Sequence, residues 1–234
     1  MDWGHSDTLH RIYNVNVHAM NMASKHDDFR AALNAADLVF CDGYGVKLAA
    51  RLVGQDIPER MAMSDWMDEF SIRTGEAGQS VFALGDEPGV AADYQQHMTS
   101  LHPAYRSAGS HHGFFEKSGL ENDRVIDVIN ASGAKHLLVG FGMPLQERWI
   151  EQNASRLKVS VVYPVGATFR WFTGRETRAP KWITDNGLEW LSRLAHHPVK
   201  LFCRYVIGNP LFVARVLAAQ LGRSQPASPI QDGV

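Results

Sequence analysis

Short runs of apolar and β-branched residues alternate along the chain with segments whose apolar positions recur at helical spacing. Runs of this length are typical of buried strands, and the segments between them are typical of helices that pack on a sheet. The alternation predicts an α/β fold with a mainly parallel sheet and helices on both faces. The predicted strands are Arg11–Val17, Asp37–Cys41, Ser80–Gly85, Tyr105–Ala108, His136–Gly140 and Val159–Pro164. The predicted helices are Asp27–Ala35, Gly45–Leu52, Ser64–Arg73, Pro88–Leu101, Glu121–Ala131 and Pro144–Ser155.

The alternation stops near Gly174, and the pattern from Pro180 onward is helical. The last residues contain two prolines with glycine and serine, which is typical of a disordered tail. We therefore predict three parts: an α/β core over residues 1–177, a helical appendage over 178–221 and a disordered tail over 222–234.

Composition excludes several classes of protein. The 234 residues are 45% hydrophobic and 21% charged, which excludes a mainly disordered chain. Two cysteines do not make a disulfide scaffold, and they fit a reducing compartment. The formal net charge of -2 argues against a nucleic-acid partner, since such proteins are normally basic. No signal peptide and no apolar run of bilayer-spanning length is visible, so we expect a cytoplasmic protein.

Charge is distributed unevenly along the chain. Residues 1–169 carry 14 Lys and Arg against 21 Asp and Glu, whereas residues 170–223 carry 9 against 3. A basic C-terminal quarter on an acidic body indicates a surface that meets a phosphate or an anionic membrane. The alternative is a solvated helical face, but aromatic residues in the same quarter favour the anion-binding interpretation.

The loops that follow the predicted strands carry the candidate chemistry, because parallel sheets bind ligands at the carboxyl ends of their strands. Asp42 precedes Gly43-Tyr44-Gly45, and its carboxylate could either accept a proton from an attacking hydroxyl or cap the next helix. Gln146-Glu147 stand near a helix start, where a glutamate also complements the helix dipole. The loop Gly85–Gly89 lacks the G-x-G-x-x-G pattern, so an NAD-dependent oxidoreductase is a weak alternative.

Several motifs occur in a fixed order, and together they are far more specific than any one of them. They are Asp42-Gly-x-Gly45, Glu59-Arg60 with Ser64-Asp65, Gly109-x-His111-His112-Gly113-x-Phe115, Gly142-x-Pro144-x-Gln146-Glu147-x-Trp149-Ile150, Val165-Gly166-Ala167-Thr168-Phe169, Arg178-Ala179-Pro180, Gly187-Leu188-Glu189-Trp190-Leu191-x-Arg193-Leu194 and Arg204-Tyr205. In these motifs the chain resembles the WecG/TagA/CpsF family of bacterial glycosyltransferases, over roughly Ile12 to Leu217.

The resemblance implies a Rossmann-like core whose C-terminal appendage helps to close the site and contacts the membrane. It implies an inverting hexosyltransferase that moves a sugar from a UDP donor to a polyprenyl-diphosphate-linked saccharide, in surface polysaccharide or exopolysaccharide synthesis. It further implies that no metal or other cofactor is needed, and that the protein lies on the inner face of the cell membrane. Association into a homo-oligomer is left open.

The resemblance also assigns roles to individual residues. Asp42 falls on the family's candidate general base, which would deprotonate the acceptor hydroxyl. The arginines suit phosphate because the planar guanidinium pairs with its oxygens. The matched substrate-binding positions are Asn14, Asn16, Arg60, Gly142, Gln146, Glu147, Gly166, Arg178, Arg193 and Arg204.

Some positions depart from the family pattern. Asn14 replaces a common threonine, in a form similar to exopolysaccharide members such as xanthan-type glucuronosyltransferases. Arg170 stands where the family often has aspartate, and Met63 where glycine is common. The chain also begins close to the first matched strand, so we expect a preceding strand and helix of the family to be missing and the sheet to lack an edge strand. A catalytically inactive relative that binds nucleotide or lipid-linked sugar remains the alternative function.

Overall fold

A six-stranded sheet forms the centre of the protein, in a computed structural model that describes residues 3–177, 179–185, 187–196 and 198–223. All the paired strands run parallel, in the order β2-β1-β6-β5-β3-β4. This confirms the predicted parallel α/β, Rossmann-like fold. The strands are β1 (His10–Val15), β2 (Leu38–Cys41), β3 (Ser80–Gly85), β4 (Arg106–His111), β5 (His136–Gly140) and β6 (Val161–Pro164).

Helices connect and cover these strands. They are α1 (Val17–Ala23), α2 (Asp27–Ala35), α3 (Tyr44–Leu52), α4 (Met63–Glu76), α5 (Val90–Leu101), α6 (Gly119–Ala131), α7 (Leu145–Asn153), α8 (Thr168–Phe172), α9 (Lys181–Asp185), α10 (Glu189–His196), α11 (Pro198–Phe202) and α12 (Gly208–Arg223). A π-helical turn, Cys203–Ile207, joins α11 to α12. None of the helices in the described part of the chain has the length and apolarity needed to cross a bilayer.

Two hydrophobic cores lie on opposite faces of the sheet. One core contains residues of α1, α2, α6 and α7 around Trp149, and the other contains residues of α4, α5 and α8 around Tyr94. Successive side chains of β5 alternate between them, with Leu137 and Val139 in the first and Leu138 in the second. A strand buried on both faces is expected to be apolar throughout, which explains the continuous apolar run of β5.

The helix α1 was not predicted. It begins at Val17, the residue at which the first predicted strand was expected to end. The strand β1 ends at Val15 because Asn16 caps the new helix, its Oδ1 accepting from the backbone N–H of Ala19 at 3.1 Å. An extended Asn with a side-chain bond to the third residue beyond it is a typical N-cap. The short helix α8 was likewise not predicted.

The appendage, α9–α12, is fastened to the core through α1 and α3. Asn21 donates from Nδ2 to the carbonyl of Gly208 at 2.8 Å, and its Oδ1 accepts from Arg215 at 2.8 Å. Phe212 packs with Val46 and Ala49 of α3. The helix α12 includes residues 222 and 223 of the predicted tail, and the remainder of that tail, 224–234, lies outside the described residues.

Candidate active site

A cleft opens at the carboxyl edge of the sheet, between the strand-end loops and the appendage. Its first part, which we call the loop cavity, has a volume of about 780 Å³. Residues from loops after β1, β3, β5 and β6 line it, as expected for an open parallel sheet. Its walls include Asn14, Asp86, Gly142, Gln146 and Gly166.

The second part, which we call the helix cavity, has a volume of about 590 Å³ and lies between α3 and the appendage. Its wall on the α3 side includes Leu48 and Leu52, and its wall on the appendage side includes Trp190, Tyr205 and Phe212. Large apolar side chains therefore form much of the helix cavity.

The two cavities meet at a small group of shared residues. Asn16, Asp42, Glu189, Arg193 and Arg204 line both of them. We call this group the junction. It brings together residues from the ends of β1 and β2 with residues of α10 and the π-helical turn. One carboxylate of the core thus faces both cavities, beside two arginines and a glutamate of the appendage.

Backbone geometry places the Asp42 side chain at the junction. Its N–H donates to the carbonyl of Val15 at 2.8 Å, which ties the start of the loop to β1. The next residue, Gly43, has a φ of 149° and is the N-cap of α3. This conformation favours glycine. The capping interpretation of Asp42 is therefore wrong, and its carboxylate instead accepts a hydrogen bond from the side chain of Asn16.

The surroundings of Asp42 raise its pKa to about 6. Burial makes the largest contribution because it disfavours the charged form, and the nearby carboxylate of Glu189 adds to it. The positive charges of Arg60 and Arg193 act in the opposite direction. A carboxylate with this pKa is ionised at neutral pH and is a stronger base than an exposed aspartate.

Three arginines surround the junction. Arg60 lines the helix cavity, pairs with Asp65 at 3.2 Å, and lies over the Tyr44 ring. Arg193 lies over the ring of Trp171, at 5.2 Å from its centroid.

Arg204 lies on the π-helical turn, a distortion that often marks functional positions. Burial lowers its pKa, and its Nε has no hydrogen-bond partner among the described residues. Together the three cations make the junction a favourable place for phosphate groups.

Gln146 and Glu147, which the sequence analysis treated as a pair, have different positions. Gln146 is only 1% exposed, and its Oε1 accepts from the backbone N–H groups of Gly142 and Gly166, each at 3.1 Å. It thereby joins the loops after β5 and β6. Its Nε2 donates to Oε1 of Glu147 at 2.8 Å.

Glu147 lies behind this wall and lines neither cavity, so the prediction that it contacts substrate is not supported by its position. Burial raises its pKa to about 7, and its Oε2 has no hydrogen-bond partner among the described residues. Its side chain supports Gln146 instead.

The remaining predicted site residues have distinct positions. Asn14 is buried on β1 beside the loop cavity, and its Oδ1 lacks a hydrogen-bond partner in the described part of the chain. Gly142 and Gly166 both have positive φ, 79° and 56°, which glycine adopts without strain. Arg178 lies outside the described residues.

A match to a known family accompanies this geometry. Residues 1–226 match the glycosyl transferase WecG/TagA/CpsF family. The chain belongs to this family. One relative is the N-acetylglucosaminyldiphosphoundecaprenol N-acetyl-beta-D-mannosaminyltransferase of Staphylococcus aureus strain MRSA252, 30% identical over 186 residues that cover 78% of this chain and 70% of the relative. The protein of the same name in strain NCTC 8325 / PS 47 is 29% identical over 182 residues, with the same coverage.

The predicted membership of the WecG/TagA/CpsF family is thus confirmed, and the chain is a glycosyltransferase by family. The xanthan-type subgroup stays a prediction. Independence from metal also stays a prediction. Within the described ranges, no group of three His, Cys, Asp or Glu is arranged to hold a metal ion.

The sequence analysis missed an ion-pair cluster in the loop cavity. Arg170 donates to both carboxylate oxygens of Asp86, at 2.8 and 2.6 Å, and to Glu87 at 2.9 Å. The Gly85–Gly89 loop was weighed only as an NAD site, and Arg170 was noted only as a departure. Glu189 was also missed, although it stands within a quoted motif. No local pattern in the sequence pairs Arg170 with that loop, because the two lie more than 80 positions apart.

Proposed function

We propose that the protein transfers a sugar from a UDP-sugar to a hydroxyl of a polyprenyl-diphosphate-linked saccharide. The observation that carries the proposal is the position of Asp42 at the meeting point of two cavities. A transferase must hold two substrates with one base between them, so that the acceptor hydroxyl lies against the sugar that it attacks. The two relatives are named for this kind of reaction, with a diphosphoundecaprenol-linked acceptor.

The loop cavity suits the nucleotide donor. It lies at the strand ends, beside the glycine-containing loops that lead into α7 and α8. Such loops let the backbone approach a diphosphate closely, and helix N-termini favour anions. Gln146 fixes two of these loops relative to each other, which prepares the cavity before the donor binds.

The helix cavity then receives the acceptor. Asp42 takes the proton of the acceptor hydroxyl while that oxygen forms a bond to the anomeric carbon, and the bond from this carbon to UDP breaks. Attack from the face opposite the leaving group inverts the anomeric centre. Arg193, which lies at the junction over Trp171 of the loop cavity, stabilises the negative charge that develops on the departing diphosphate.

Contact with an anionic membrane is part of the same proposal, on the inner face of the cell membrane. Large apolar side chains of the appendage are exposed, among them Trp182, Val199, Phe202 and Ile207. They lie within the quarter of the chain that carries 9 basic against 3 acidic residues. Apolar residues flanked by cations are typical of surfaces that bind anionic bilayers.

Release of UDP from a panel of UDP-sugars tests the proposal. The acceptor is a polyprenyl-diphosphate-linked N-acetylglucosamine embedded in anionic vesicles, and glucuronate and N-acetylmannosamine donors are both included. We expect release with at least one donor, only when acceptor is present, and weaker turnover at high salt because salt screens the membrane contact. UDP binding without turnover of any donor would instead support the inactive relative.

A further inference from the structure

One end of the helix cavity is an apolar groove that the proposed chemistry at the junction does not use. Leu48 and Leu52 of α3 form one side, and Phe212, Val213 and Val216 of α12 form the other. Leu48 and Val213 are 61% and 47% exposed. Exposed apolar side chains that face one another across a groove indicate a ligand with an apolar part.

The groove is a fixed feature because α12 is held on the core at two places. Asn21 binds both Gly208 and Arg215, which lie about two turns apart along the helix. Phe212 is buried against Val46 and Ala49, so the floor of the groove belongs to the hydrophobic core. Because the walls of the groove are already ordered, binding of an apolar ligand does not require the loss of conformational entropy that ordering them would cost.

The helix cavity combines three kinds of chemical group. Asp42, the cations Arg60 and Arg204, and the apolar groove all line it. A lipid-linked acceptor carries the three matching groups: a sugar hydroxyl, a diphosphate and an isoprenoid chain. A separate protein or peptide has no reason to enter a groove that is continuous with the proposed catalytic centre.

Val213, Leu217 and Leu221 are spaced by four residues along α12, so they lie near one face of this helix. All three are exposed. These three side chains extend the apolar wall of the groove along α12.

We infer that the groove between α3 and α12 binds the first isoprene units of the acceptor's polyprenyl chain, next to the diphosphate. The inference rests on the proposed function and adds to it the part of the protein that recognises the lipid. Specificity for a lipid-linked acceptor would then come from direct contact with the chain, in addition to any membrane contact.

Calorimetry with farnesyl diphosphate and inorganic diphosphate tests this inference without membrane and without turnover. We expect the wild type to bind farnesyl diphosphate at least ~10-fold more tightly than inorganic diphosphate, since each buried methylene contributes to affinity. Leu48→Gln should reduce this preference several-fold. The matched control is Leu120→Gln, because Leu120 is 75% exposed on α6 and lines neither cavity.

Val213→Thr, a nearly isosteric change, provides a second variant on the opposite wall, and we expect it to reduce the preference as well. Equal affinity of the wild type for the two probes would overturn the inference. An unchanged preference in both variants would also overturn it. If the protein prefers farnesyl diphosphate but releases no UDP, the inference about the groove stands and the proposed transfer is wrong.

Discussion

The two cavities that meet at Asp42 are built from different parts of the chain. The loop cavity is formed mainly by glycine-containing loops at the strand ends of the core, whereas the helix cavity needs α3 together with α10 and α12. The first contains the Arg170 ion-pair cluster, and the second contains the apolar groove between α3 and α12. Under the proposed function, the strand-end loops would hold the nucleotide donor, and the appendage would recognise the acceptor.

The junction joins the two regions electrostatically. Asp42 belongs to the core, but Glu189 and Arg193 belong to the appendage, and both change its pKa. The appendage therefore does more than cover the cleft, because it sets part of the charge environment of the proposed base.

The largest expected effect is loss of transfer on changing Asp42, the core carboxylate that lines both cavities. Asp42→Asn should slow transfer by about 10²–10⁴-fold, the usual contribution of a general base. UDP affinity should stay close to that of the wild type, because the loop cavity keeps its walls. Single-turnover kinetics and calorimetry measure the two quantities, and the control is Asp127→Asn, at an exposed position of α6. Transfer at the wild-type rate would remove Asp42 from the mechanism.

Sequence patterns predicted the sheet well because each element carries its own signal. The apolar run of β5 and the amphipathic pattern of α2 predicted the observed first and last residues of these two elements. The order of the motifs along the chain predicted the family. The strand-end position of Asp42 followed from the same pattern.

Contacts between distant residues could not be predicted in this way. Arg170 and Asp86 are 84 positions apart, and each looks like an ordinary surface charge until the fold brings them together. Glu147 differs from Gln146 by one position on a helix, and one position turns a side chain by 100°. Only the packing of α7 decides which of them faces the cavity.

A smaller effect concerns the influence of the appendage on the base. The base must be ionised, so kcat/KM should rise with pH through about 6 and then level off, with about a tenfold loss at pH 5. Glu189→Gln removes a negative charge that raises the pKa of Asp42, so the acidic limb should move to lower pH. Glu76→Gln on α4 is the matched control. If the acidic limb of the pH profile does not move, Glu189 does not influence the pKa of Asp42.

Simultaneous binding of both substrates tests the central claim, that one carboxylate stands between two separate cavities. The measurement is calorimetric titration of a farnesyl-diphosphate-linked N-acetylglucosamine into Asp42→Asn protein, with and without saturating UDP. We predict one acceptor per chain in both cases, with affinities that differ by less than about tenfold. Gln146→Ala in this background should weaken UDP binding alone, because it frees the Gly142 and Gly166 loops. Displacement of UDP by the acceptor would contradict the account, because the two substrates would then share a single cavity.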